Sequence, residues 1–194
     1  SLKWLRDELA PDRTWDELTA LAAPIPPGSE GLVFLPYLSG ERTPYPDPLA
    51  RGAFVGLTVR HGLGHMVRAV LEGVAFSLRD CFELVRETSP EPLRDLRASG
   101  GGTNSELWKQ IIADVLGVSI SLTRSAEGVA TGAAVLAAVA AGWYPSVQAA
   151  CEAMVEVTSS TAPGPDAGAY EAAYAVYRDL YPALKQPFAA LSDS

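Results

Sequence analysis

Three consecutive glycines, Gly100, Gly101 and Gly102, stand between an expected strand and an expected helix. Such a turn leaves no side chain between backbone and ligand, and the following helix start offers unpaired N–H groups and positive dipole. That is chemistry for holding a nucleotide. The bland alternative is a tight turn, because Thr103 and Glu106 have capping-box spacing and would already satisfy two of those N–H groups. A carboxylate at 106 would repel bare phosphate, so the glycines are expected to face the adenosine or α-phosphate end of a nucleotide.

Other residues carry weaker signals. Residues 127–134 open a helix with small side chains, which lets a flat ring or a second backbone come close. Glu72 is the only charge between Arg68 and Arg79 on an otherwise apolar helix stretch. A carboxylate so placed is either paired, with Arg68 one turn earlier, or functional. His61 and His65 are four apart, but Gly62 stands where a zinc-protease base would be, and no third ligand is evident. Cys81 and Cys151 lack metal spacing and read as small buried apolar groups of a reducing compartment. No P-loop, nucleophile elbow, C-x-x-C pair or G-x-G-x-x-G fingerprint is present.

The elements that must position these residues follow from periodicity and breakers. Leu2, Leu5 and Leu9 form one helical stripe, so the sequence starts abruptly inside a helix, like a cut edge. A capping box at Thr14 to Glu17 opens a second helix to about Ala22. Residues 31–35 read as a buried strand, residues 36–52 as a rigid Pro-rich loop, and residues 53–57 as another strand. Apolar positions from 63 to 85 follow the 3.6 period, and residues 69–76 are apolar nearly all round, so this helix is central. Strand 95–99, helix 103–116, strand 118–122, helices 128–141 and 146–155, and a last helix after Pro163 continue an α/β alternation. Tyr170, Tyr174, Tyr177 and Tyr181 make a stripe on that last helix, read as core packing.

The 194 residues, 48% hydrophobic, suffice for one core. The net charge of -8 and pI near 4.7 give no basic footprint, so nucleic acid is not an expected partner. No apolar run is long enough for a bilayer and no leader pattern opens the chain, so neither membrane nor export is expected, and the protein reads as cytoplasmic.

Gly52, Phe54, Gly56 and Leu57, a seven-residue gap, then His65, Met66, Ala69, Val70, Leu71 and Glu72 resemble the carboxyl-terminal signature of the FGGY carbohydrate kinases. The Pro-rich loop, the triple glycine with Asn104, Ser105, Glu106, Leu107 and Trp108, and residues 127–134 are similar to that family in the same order. The resemblance implies an α/β fold: part of the ribonuclease H-like, actin-like carboxyl-terminal lobe, spanning 1–194 and lacking the first strands of its sheet. It implies ATP and Mg2+ as cofactors, with Gly100, Gly101, Gly102, Asn104 and Ser105 beside adenosine and phosphate. Many relatives carry Asn where Ser105 stands. Glu72 and Glu127 are expected as cleft residues, and no metal ligand is expected within the chain.

By the same resemblance the catalytic aspartate lies upstream, so the chain alone carries no catalytic residue and is expected to be inactive. Its partner would be an upstream amino-terminal lobe, on the same or another chain, docking on the bare edge and apolar face of strands 95–99 and 118–122. A homodimer is compatible with this. The run at 38–44 and the triple glycine are more similar to members acting on xylulose than to those acting on glycerol, with gluconate members nearly as similar. A non-catalytic nucleotide-binding or interaction module is the competing reading.

Overall fold

The computed structural model describes residues 1–124 and 128–192. The central element is α3 (Leu63–Thr88), as its periodicity requires, and the helices α1 (Leu2–Leu9) and α2 (Trp15–Ala22) lie against it. Thr14 caps α2 through the expected box, its backbone N–H donating to Glu17 at 2.8 Å and its hydroxyl accepting from the Glu17 N–H at 3.2 Å. On another side β1 (Val33–Leu35) pairs antiparallel with β2 (Ala53–Val55), and the rings of Phe34 and Phe54 meet at 4.6 Å. A Cβ on Gly73 of α3 would lie 2.1 Å from the Phe34 carbonyl oxygen, so only glycine lets helix and strand approach this closely.

A second layer is built on a three-stranded sheet in which β3 (Asp95–Ala98) pairs parallel with β4 (Ser119–Thr123). The helix α4 (Glu106–Leu116) makes the crossover between them. On its other side β4 pairs antiparallel with β5 (Val157–Thr161), with a register shift at Leu122 and Thr123. The sequence reading did not contain β5, so the expected bare flank of the strand at 118–122 is covered. Among the described residues β3 keeps one unpaired side. The helices α5 (Gly128–Ala140) and α6 (Val147–Met154) pack on one another beside this sheet.

The long helix α7 (Tyr170–Ser192) closes the main core. Tyr170, Tyr174, Tyr177 and Tyr181 are all buried, as the stripe predicts, and each phenol finds a polar partner. Arg68 donates to the Tyr170 hydroxyl at 2.5 Å, and the Tyr37 and Tyr177 hydroxyls meet at 3.0 Å. Tyr174 donates to Asp80 at 2.6 Å and Tyr181 to Asp47 at 2.7 Å. Each ring supplies apolar area while its tip is satisfied, the arrangement that makes buried tyrosine tolerable. Two of these bonds, with the stacking of Tyr45 on Tyr181 at 4.1 Å, pin the Pro-rich loop to α7.

Cys81 and Cys151 are both free and only partly buried, which corrects their expected burial. Among the described residues no helix is long and apolar enough to cross a membrane.

Candidate functional site

The glycine turn departs from its expected capping. Gly100, at φ 103 and ψ 171, adopts a conformation essentially restricted to glycine. Residues 101–104 then form a 3-10 turn in which the Thr103 hydroxyl reaches back to the Gly100 carbonyl at 2.7 Å. With Thr103 so engaged, the cap of α4 falls to Ser105, whose Oγ accepts from the Trp108 N–H at 3.3 Å. The helix therefore starts at Glu106, and the Thr103 to Glu106 box does not form. Glu106 instead points outward and accepts from Lys109 at 2.6 Å, which removes its carboxylate from the turn.

The three glycines are glycine for different reasons. Gly100 needs its backbone conformation. Gly102 lies against the Trp108 ring, so closely that a Cβ would fall 1.6 Å from Cζ3. Gly101 has neither constraint: its φ is not positive, and a Cβ there would meet nothing within 4 Å. Among the described residues nothing requires glycine at 101, and its surface is open to whatever approaches from outside.

That approach is a groove of about 530 Å³. The turn contributes Gly101, Gly102, Asn104 and Ser105, while Gly100 of the expected set does not line the groove. The floor is apolar, from Val70, Leu71 and Val74 of α3 and the Trp108 ring. The facing wall comes from the first two helices: Ser1, Leu2 and Lys3 on one side, and Trp15, Asp16 and Thr19 on the other. Lys3 pairs with Asp7, and the Arg6 guanidinium covers the Trp15 ring at 3.9 Å. The groove is an apolar slot edged by the side chains of Ser105, Asn104 and Thr19, by the Asp16 carboxylate and by the Lys3–Asp7 pair, with room for a small flat ligand. Lys3, Trp15, Asp16 and Thr19 escaped the sequence reading because they sit on ordinary amphipathic helices with no motif to mark them.

Glu72 is not part of this groove. Its carboxylate is 2% exposed and accepts from Arg68 Nε at 2.7 Å, Ser29 Oγ at 2.9 Å and the Gly28 N–H at 3.1 Å. Burial pushes its carboxyl up from the ordinary value, while the Arg68 guanidinium pulls the other way. The pairing reading therefore describes Glu72, and the cleft expectation does not. It secures a left-handed turn in which Gly28, Ser29, Glu30 and Gly31 all have positive φ. Two of those four are not glycine, so the turn is strained and needs such support.

Glu127 lies outside the described residues. The small-residue start of α5 borders a second cavity of about 400 Å³, shared with Arg97, Ala98 and Ser99 at the end of β3 and with Cys151. His61 and His65 each accept a backbone N–H through Nδ1, from Thr58 at 3.0 Å and Gly62 at 3.2 Å. Among the described residues no three His, Cys, Asp or Glu side chains converge on a point where a metal could be held.

The sequence model for the C-terminal domain of the FGGY family of carbohydrate kinases matches residues 1–141, and the chain belongs to that family. Its architecture is that of the C-terminal lobe of these kinases, which have the actin-like ATPase fold.

Among particular relatives, the chain is 36% identical over 187 residues to the xylulose kinase of Staphylococcus epidermidis, covering 96% of this chain and 38% of the relative. It is 33% identical over 202 residues to the gluconokinase of Bacillus subtilis, covering 99% of this chain and 39% of the relative. The crystal structure of ligand-bound xylulose kinase from Lactobacillus acidophilus superposes with a TM-score of 0.90 at 31% identity, over 98% of this chain and 39% of that one. The chain thus spans well under half the length of the relatives it matches.

Proposed function

We propose that this chain is the nucleotide-holding lobe of an ATP-dependent sugar kinase whose acceptor is D-xylulose. Support comes above all from the groove of about 530 Å³ whose lining brings Gly101, Gly102, Asn104 and Ser105 of the turn together with apolar residues of α3. In the proposed reaction a sugar hydroxyl oxygen bonds to the γ-phosphorus of ATP. The bond from that phosphorus to the oxygen bridging the β-phosphate breaks, and D-xylulose 5-phosphate, ADP and a proton result. The chain's own part is positioning: Gly101, Gly102, Asn104 and Ser105 hold the adenosine and α-phosphate region. The proton acceptor belongs to the upstream lobe. Magnesium, when bound, neutralises charge on the transferring phosphates, and the described residues offer no carboxylate cluster for it.

The upstream lobe is the proposed partner. The unpaired side of β3 and the outer face of α5 border one cavity, and α5 carries no charge yet leaves Val129 92% and Leu136 61% exposed. An uncharged helix so exposed is expected to be covered. Gluconate is the second acceptor to consider, because a gluconokinase matches nearly as well as the xylulose kinases.

The test is ATP-dependent phosphorylation of xylulose, gluconate and glycerol by the full-length kinase and by this chain alone. The proposal expects xylulose turnover by the former and none by the latter. Turnover of gluconate in preference to xylulose would reassign the acceptor. No phosphorylation of any sugar, with nucleotide still bound, would favour a non-catalytic module.

A further inference from the structure

Within that reading of the groove, Trp108 stands out as a residue whose role the family likeness does not supply. It sits in the first turn of α4, and its backbone N–H donates to Ser105 Oγ at 3.3 Å. From there the indole folds back under the turn that precedes the helix. The six-membered ring fills the place a side chain on Gly102 would need: Cζ3, Cε3 and Cη2 would lie 1.6, 2.4 and 2.7 Å from a Cβ at that position. Ring and glycine both border the groove. The indole Nε1–H is buried and, among the described residues, finds no acceptor. The side chain is therefore held by the fit of its ring and not by a hydrogen bond, and an unpaired buried donor is a cost that the fit must outweigh.

We propose that Trp108 is a positioning residue for the nucleotide. A rigid ring behind Gly102 fixes how far the backbone of the turn can recede, and so sets the position of the neighbouring Gly101 on the groove wall. Close-packed interiors transmit such a constraint because they do not deform smoothly. Small misplacements of a positioning element are costly to rate and binding out of proportion to their size.

The experiment measures kcat and both KM values in the full-length kinase for Trp108→Phe, Gly102→Ala and the two combined. Phenylalanine is too short to reach the position of Cζ3, so Trp108→Phe is expected to raise the KM for ATP about tenfold, with the KM for sugar unchanged. A purely structural role would lower the melting temperature and leave both KM values alone. Gly102→Ala should damage the wild type severely, yet cost much less beside Trp108→Phe, because the methyl group enters the space the indole vacates. A combined loss as large as the sum of the two, or an unchanged KM for ATP in Trp108→Phe, overturns the proposal.

If Gly102→Ala does not fold, the change in tryptophan emission on adding ADP decides: a wild-type signal reduced in Trp108→Phe supports the assignment, and an identical signal overturns it. The underlying site has a separate control in Gly101→Ala. An unchanged KM for ATP there removes the nucleotide reading itself. A raised KM there with no effect of Trp108→Phe removes only the role of Trp108.

Discussion

The Tyr174 hydroxyl donates to Oδ1 of Asp80 at 2.6 Å, while Oδ2 of the same buried carboxylate has no partner among the described residues. Burial therefore outweighs the hydrogen bond and raises the Asp80 carboxyl above its ordinary value. One residue away the balance reverses. Arg79 grips Glu171 of α7 with two bonds, at 2.7 and 3.0 Å, and this lowers the Glu171 carboxyl.

These neighbours give opposite pH dependence. A raised acid binds its proton more tightly when folded, so Asp80 costs nothing below pH 3.8 and weakens the fold as pH climbs through its shifted value. A lowered acid contributes above its unfolded value, so Glu171 supports the fold above pH 4.5 and loses this as pH falls through its depressed value. In urea titrations at a series of pH values, Asp80→Asn is expected to gain stability relative to the wild type as pH rises above 3.8, and Glu171→Gln to be the less stable above pH 4.5. The Glu171 effect should stay below about 1 kcal/mol because the pair is exposed.

Removing Glu72 strands a buried guanidinium and releases the strained turn at 28–31. Glu72→Ala is expected to cost about 3–5 kcal/mol, read from the urea midpoint at constant m-value. A loss under about 1 kcal/mol would mean that the guanidinium is satisfied by water and by the Tyr170 hydroxyl to which it already donates.

The glycines at the turn should separate stability from binding. Gly100→Ala must hold a backbone conformation that side chains resist, and should cost about 1–3 kcal/mol. Gly101→Ala is expected to change stability by less than about 0.5 kcal/mol, as for an open surface position, while weakening nucleotide. Isothermal titration with ADP, beside a melting curve for each variant, checks both halves.

The hydroxyl pair between the Pro-rich loop and α7 should be non-additive. Tyr177→Phe leaves the Tyr37 hydroxyl buried and alone, at a cost of about 1–3 kcal/mol. Tyr37→Phe combined with Tyr177→Phe removes both partners and should lie closer to the wild type than either single variant. Additive losses in chemical denaturation would show that the hydroxyls do not depend on one another.

Much of this architecture was legible from residue order. The 3.6 period of α3 and the breaker-bounded strands are legible because burial of an apolar face dictates spacing, and the tyrosine stripe, which could also pass for a ligand platform, is buried in the core. β5 was hidden: Val157 to Thr161 is largely exposed and its serines and threonines alternate with nothing, so no hydrophobic signal marks it. The left-handed turn at 28–31 was hidden for another reason, since its support comes from Glu72, more than forty residues away. At the site, the bare turn could be read, but its capping could not. Two hydroxyl residues, Thr103 and Ser105, can serve as the cap, and the bond from Thr103 to the Gly100 carbonyl leaves the role to Ser105. The opposite wall of the groove was beyond reach, because residues of two separate surface helices meet the turn only after folding.

The match to the family model ends at residue 141, while the likeness to whole relatives runs on through α7, whose Tyr170, Tyr174, Tyr177, Tyr181 and Phe188 belong to the same core as Leu5, Phe34 and Phe76. The border of a recognisable motif and the border of a cooperative interior thus fall in different places. A protein trimmed to residues 1–141 would surrender one side of its interior to water, and any survey of such trimmed pieces would mistake a missing wall for a missing activity.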